Sequence, residues 1–368
     1  MTHRTWNDAN ACQQGSNVIR LEPDLVSIAV LIPDVSPPAD WTQAALRRIQ
    51  SAKSTGRPEA EGCWPMLGST SVPAESFTLL SYSGGLDWLC QFETIKDLVV
   101  TKTAMDALRR NNVKVIGSGE QVIMFAHGYG CDQNMWRQVV PSFSDKYTTI
   151  LFDYVGSGSS EASAFDQTRY STLRGYAWDV LEILAALKLD RRIHFVGHSV
   201  SSMIGALASI EEPGRFNTLT MIGPSPHYIN EDDYFGGFER SDIDSLLDSL
   251  ESNHVAWSAA MAPVIMDNSE RPELAQELEA SFCRMDPFLA QHFARVTFLS
   301  DNRSDLPLVD TRTLILQCQT DAIASVRVGQ YVHKSLKNSE LVIMDAKGHC
   351  PHMSEPTAVV REIRKFLQ

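Results

Sequence analysis

The sequence predicts an α/β protein: a mostly parallel sheet with a helical lid inserted in it, preceded by an N-terminal extension of unassigned fold. Three observations carry this expectation. From residue 111 onward, continuous apolar runs of strand length alternate with helical stretches, the pattern of a parallel sheet covered on both faces. Between Pro226 and Asp301 the alternation stops, and the pattern is helical throughout. Finally, the run His194-Phe195-Val196-Gly197-His198 enters a tight turn at Ser199, and a small-residue helix, Ser202 to Ala208, leaves it. That strand–turn–helix context is what lifts a nucleophilic hydroxyl clear of a sheet.

Residues 1–110 read as an extension. Leu25 to Ile32 is an apolar run of strand type, and Asp40 suits the cap of a helix reaching Ser51. The stretch from Ser54 to Pro73 is rich in Gly, Pro and Ser and reads as loop. Phe77 to Tyr82 reads as a strand and Lys102 to Arg110 as a helix. No chemical constellation falls in this part. The second unit, residues 111–368, begins with Val113 to Ile116, a strand ending at Gly117-Ser118-Gly119 in a hairpin-type turn. Strands follow at Val122–Ala126, Thr149–Phe152, His194–Val196, Leu219–Ile222, Leu314–Cys318 and Leu341–Met344. Tyr176 to Leu187 is helical, with Val180, Ile183 and Leu184 on one face, and the helix Pro356 to Leu367 closes the chain. The lid insertion spans about residues 227–300, with helices at Ser241–Leu250, Asn253–Met261, Pro272–Arg284 and Pro287–Phe298. Inserted where strands end, it is placed to cap a pocket.

Composition narrows the function classes. With 43% hydrophobic and 21% charged residues the chain suits a soluble globular protein, and there is ample length for a large core. A net charge of -13 disfavours nucleic acid as a partner. No apolar stretch is long enough for a bilayer, and the first residues lack a signal-type apolar region, so no membrane association is expected. Seven scattered cysteines without a CxxC pair suggest neither a metal site nor a disulfide framework, and a reducing, cytoplasmic setting is expected.

A serine nucleophile requires a base, and the base an orienting acid. The strand ending at Cys318 is followed by Asp321, and the strand ending at Met344 by Gly348-His349. The order Ser199, Asp321, His349 thus places each member just past the carboxyl end of its own strand. Asp153 and Asp345 compete with Asp321, and His352 competes with His349; Gly348 favours His349 by allowing the sharp turn. The N–H of Val200, next to the serine, and that of Tyr129, in the loop after the first long parallel strand, are the candidate oxyanion donors. His198 reads as a hydrogen-bonding residue of the turn, and Cys131 and Cys350 as pocket walls. Gly156-Ser157-Gly158 lacks the rest of a phosphate loop, so no nucleotide is expected. The second small position of the turn, usually glycine, is Ser201.

From residue 111 onward, these segments resemble the bacterial RsbQ stress-signalling hydrolases and the related plant karrikin and strigolactone receptors. The resemblance runs through Asn112 to Gly119, His127-Gly128-Tyr129-Gly130-Cys131-Asp132-Gln133, and Leu151 to Gly158. It continues through Gly197-His198-Ser199-Val200-Ser201, Gly236-Gly237-Phe238-Glu239 and Gly348-His349-Cys350-Pro351-His352-Met353-Ser354. It implies an α/β-hydrolase fold with a four-helix lid over an apolar pocket, Ser199, Asp321 and His349 as triad, and no metal or cofactor. It places Phe238, Trp257, Met261 and Phe298 at the pocket, and it puts Tyr129 where the family has Phe, adding a hydroxyl at the pocket mouth. It further implies a small hydrophobic ligand and, by the bacterial branch, a PAS-containing phosphatase as partner in a stress-response pathway leading to a sigma factor. The expected activity is hydrolysis of a small, largely apolar ester or lactone through an acyl-enzyme. The alternatives are a ligand-sensing protein with little turnover, or a cofactor-free haloperoxidase or carbon–carbon bond hydrolase.

Overall fold

A computed structural model describes residues 17–21, 28–32 and 106–368 of the protein. Its contacts divide the chain into two units, Met1–Val99 and Val100–Gln368. In the first, β1 (Asn17–Leu21) and β2 (Ile28–Ile32) pair antiparallel, with Asn17 opposite Ile32. Of the apolar run expected to form a strand, Ile28–Ile32 does so, and residues 25–27 lie outside the described residues. The expected helix Asp40–Ser51 and strand Phe77–Tyr82 lie outside the described residues.

The second unit is built on one sheet of seven strands, β3 (Lys114–Ile116), β4 (Gln121–Ala126), β5 (Tyr147–Leu151), β6 (Ile193–His198), β7 (Phe216–Ile222), β8 (Arg312–Thr320) and β9 (Ser339–Lys347). Their order is β3-β5-β4-β6-β7-β8-β9. All neighbours are parallel except β3 and β5. The continuous apolar runs are explained by two cores, one on each face. Along β4, Ile123 and Phe125 enter one, while Val122, Met124 and Ala126 enter the other. Helices α1 (Leu173–Ala186) and α2 (Val200–Glu211) pack the second core through Val180, Ile183, Met203 and Leu207.

One local expectation is corrected. Gly117 to Gly119 is not a hairpin between paired strands, because β5 lies between β3 and β4. Thr148 on β5 donates from its hydroxyl to the Gly119 carbonyl at 2.7 Å. The turn is thereby held across the start of β5, and β3 lands on its outer edge.

The insertion consists of α3 (Arg240–Ser252), α4 (His254–Met266), α5 (Pro272–Arg284) and α6 (Pro287–Phe298). Its two ends meet at an antiparallel bridge between His227 and Asp301, and the Asn302 N–H donates to the Pro226 carbonyl at 2.8 Å. The helix starts follow local chemistry. Glu239 and Asp242 form a capping box on α3, Asn253 caps α4, and a proline opens each of α5 and α6. After β9 come a short turn of helix, α8 (Pro351–Ser354), and α9 (Pro356–Leu367); α7 (Val326–Ser335) precedes β9. Among the described residues no helix is long and apolar enough to cross a membrane.

Candidate active site

Three strand ends converge on one point. Ser199 follows β6 with φ 56° and ψ -122°, a left-handed conformation strained for a residue with a side chain. The turn is anchored by the Ser199 N–H, which donates to the Ile222 carbonyl at 2.7 Å. Gly197 is required by close approach: a Cβ there would lie 2.5 Å from the Ser201 carbonyl oxygen. Ser201 is accommodated because its hydroxyl is fully engaged. It donates to the His127 carbonyl at 2.5 Å and lies 2.9 Å from the Tyr154 hydroxyl.

His349 Nε2 lies 2.7 Å from Ser199 Oγ, and His349 Nδ1 lies 2.8 Å from Asp321 Oδ2. The ring is buried, and so is the carboxylate. Asp321 is held by more than the imidazole. Its Oδ1 accepts the Ile323 and Ala324 N–H groups at 2.8 and 2.9 Å, and Gln317 Nε2 approaches Oδ2 at 3.4 Å. Three donors besides the histidine therefore fix which oxygen faces His349. The rival residues are elsewhere. Asp153 accepts the Gln133 and Ser159 N–H groups and the Asn112 amide, and Asp345 is exposed on β9.

The backbone N–H groups of Tyr129 and Val200 donate to no acceptor among the described residues. Val200 follows Ser199 directly in the chain, and Tyr129 lines the same cavity as Ser199. The Tyr129 hydroxyl, which the resemblance adds at the pocket mouth, is tied to the lid. It donates to the Ala290 carbonyl on α6 at 3.1 Å.

Ser199 and His349 open onto a small cavity lined by Tyr129, Tyr228, Trp257, Met261, Phe298 and Cys350, among others. Its free volume is about 30 Å³. Ligand pockets commonly measure roughly 300–1,000 Å³, so the lid lies closed over this one. Phe238 is not among the lining residues, which corrects the family-based expectation. Its backbone is pinned between Tyr228 and Asn230, by its N–H to the Tyr228 carbonyl at 3.1 Å and its carbonyl to the Asn230 N–H at 2.7 Å. Its side chain packs, partly buried, against the core cluster. Tyr228 was not singled out from the sequence. It is buried and lines the cavity together with Ser199 and His349. Its only sequence signal is its position just past β7, at the carboxyl edge where the site assembles.

Histidines surround the site in neutral form. His198 donates from Nε2 to the His349 carbonyl at 2.8 Å, and burial beside His352 and His349 holds its pKa well below the ordinary range. His127 donates from Nδ1 to the Gly128 carbonyl at 2.8 Å and accepts the Tyr154 N–H on Nε2 at 3.1 Å, and burial lowers its pKa too. His352 packs between Trp136 and His198 with both ring nitrogens unpartnered, and burial pushes it down to about 3. His198, Cys350 and His352 bring one donor atom each within 4.8 Å of one another. Burial, however, holds the Cys350 thiol protonated, with its pKa well above the usual range, and a protonated thiol is a poor metal ligand.

These lowered values have a consequence for stability. The unfolded histidines take up protons below about pH 6.5, whereas the folded ones resist them. Stability from this source is complete above pH 6.5 and is lost as pH falls below it. For His352, held at about 3, the loss between pH 7 and pH 5 is about 2 kcal/mol. The expected result is a urea midpoint that drops steeply over this range, and His352→Phe should flatten the slope. A midpoint constant from pH 7 to 5 would contradict the neutral assignments.

The fold and the relatives define the class. Residues 121–243 match the family profile described as alpha/beta hydrolase fold, and residues 294–368 match one described as TAP-like protein. The chain belongs to the α/β-hydrolase family and is a serine ester hydrolase. Within that family it is similar to plant receptors and esterases. The karrikin insensitive 2 receptor CA of Petunia hybrida is 40% identical over 70% of this chain and 95% of its own length. The strigolactone esterase of Arabidopsis thaliana is 35% identical over 70% of this chain and 96% of its own. The solved structure of a hydrolase from Oleispira antarctica superposes with a TM-score of 0.70 at 44% identity, covering 72% of this chain and 97% of that one.

Proposed function

We propose that this hydrolase cleaves a small, largely apolar ester or lactone through an acyl-enzyme on Ser199. His349 takes the Ser199 proton through Nε2, Asp321 holds Nδ1 and stabilises the imidazolium, and the Tyr129 and Val200 N–H groups receive the oxyanion. The imidazolium then protonates the leaving alcohol. Water activated by His349 attacks the acyl carbon and frees the serine. The observation that carries this reading is the Ser199–His349–Asp321 chain of contacts at 2.7 and 2.8 Å, opening onto an apolar cavity. The lining by Trp257, Met261, Phe298 and Cys350 supports an apolar substrate.

In the cell, we place this activity in stress signalling, as in the RsbQ-type hydrolases, with a PAS-containing phosphatase as partner and a cytoplasmic location. The support is the sequence resemblance set out above, Gly348-His349-Cys350-Pro351-His352 in particular. A second reading, ligand sensing with little turnover, is favoured by the receptor names among the relatives and by a lid closed down to about 30 Å³. The time course of hydrolysis of a short-chain aryl ester decides between them. Linear turnover past many equivalents of enzyme supports the hydrolase. A burst of one equivalent followed by arrest supports the sensor.

A further inference from the structure

The closed cavity and the loops around it share one feature: each half of the site is hydrogen-bonded to the lid. On one side, the Tyr129 hydroxyl donates to the Ala290 carbonyl of α6 at 3.1 Å, and the Ser281 hydroxyl of α5 donates to the Gly130 carbonyl at 2.8 Å. Arg284 of α5 adds an ion pair with Asp132 at 3.1 Å. The Tyr129 ring meets Trp257, Phe282, Phe293 and Phe298 edge-on or tilted, so α4, α5 and α6 all grip it. On the other side, the His349 N–H donates to the Ile265 carbonyl of α4 at 2.8 Å.

We propose that the lid positions the oxyanion loop, with the Tyr129 hydroxyl as the clasp, so that the Tyr129 N–H is correctly aimed only when the lid is down. This rests on the reading of that N–H as an oxyanion donor. The physical case is direct. A cavity of about 30 Å³ must widen to take an ester, and much of its wall (Trp257, Met261, Phe282 and Phe298) is carried by the lid helices α4, α5 and α6. The residue that carries the N–H is bonded through its own side chain to one of those helices. Lid movement is therefore transmitted to the oxyanion donor, and re-closure over substrate restores it. Substrate admission and transition-state stabilisation are thus coupled, and water is excluded when the donors are in place. A phenylalanine at 129 would keep the ring contacts and lack the clasp.

The test is Tyr129→Phe, with Ser281→Ala as a second release of the same loop. The readouts are hydrolysis of a short-chain aryl ester and inhibition by phenylboronic acid. With the boronic acid, the Ser199 oxygen bonds to boron, its proton passes to His349, and a boron hydroxyl occupies the oxyanion position. Ethylbenzene, of similar shape but unable to form the adduct, reports ground-state binding. The expected result is a fall in kcat and in boronate affinity of about three- to tenfold each, with KM and ethylbenzene affinity changed less than about twofold. Unchanged kcat and boronate affinity, even with a lowered Tm, would show the hydroxyl to be a packing bond and overturn the proposal. Equal losses in ethylbenzene and boronate affinity would overturn it in favour of direct substrate contact. If Tyr129→Phe does not fold, the same two patterns in Ser281→Ala decide. A Ser199→Ala protein that still hydrolyses the ester would instead overturn the underlying triad reading.

Discussion

Ser199→Ala is expected to lower kcat on a short-chain aryl ester by about 10⁴- to 10⁶-fold, leaving only what the oxyanion donors and binding supply. The strained turn explains why this residue has such leverage. It holds the hydroxyl at the mouth of the cavity, 2.7 Å from the imidazole that must take its proton. Alanine suits the turn no worse than serine, so folding should be intact and the loss chemical. Intact-mass analysis gives the second readout. Wild-type protein quenched during turnover should carry an acyl adduct, and the variant none. Comparable activity in the two proteins would remove Ser199 from the mechanism.

Asp321→Asn should lower kcat by about 10⁴-fold with little change in KM. The direction follows from the hydrogen-bond pattern. Oδ1 is committed to accepting the Ile323 and Ala324 N–H groups, so an asparagine must place its oxygen there. Its amide then faces His349 Nδ1 as a donor. The imidazole is driven into the opposite tautomer, with the proton on Nε2 toward Ser199, and can no longer act as base. Substrate contacts are untouched, hence the split between kcat and KM. Asp345→Asn, on an exposed position of β9, should leave activity unchanged and serves as the control. An Asp321→Asn enzyme with near wild-type kcat would assign the orienting role elsewhere.

Much of the architecture was legible from residue 111 onward because it depends on local signals. Continuous apolar runs marked the parallel strands, since both faces of the sheet are covered. Lid helices α5 and α6 were readable to their end residues because each opens on a proline, where that residue's missing N–H does no harm. Ser199, Asp321 and His349 could be named together because a parallel sheet sends all its strand ends to one edge.

What stayed hidden depends on contacts between distant segments. Gly117 to Gly119 reads locally as a hairpin, yet β3 pairs with β5, and only the strand order discloses it. Phe238 is apolar and lies within the lid insertion, yet its backbone is bonded to Tyr228 and Asn230 and it is not among the residues that line the cavity. A buried tyrosine hydroxyl must find a partner, but nothing in the sequence near Tyr129 names Ala290, 161 residues away. The neutrality of His127, His198 and His352 likewise comes from burial, which is a property of the assembled core.

By itself, then, the sequence determined the order and type of the elements and the identity of the groups at the strand ends. Periodicity, capping and chain order are local quantities, and they suffice for that. The tertiary structure alone decided which side each group faces, how tightly the lid closes, and which loop is bonded to it. Those outcomes follow from packing and from the need to satisfy every buried polar group, and both are settled only when distant segments meet.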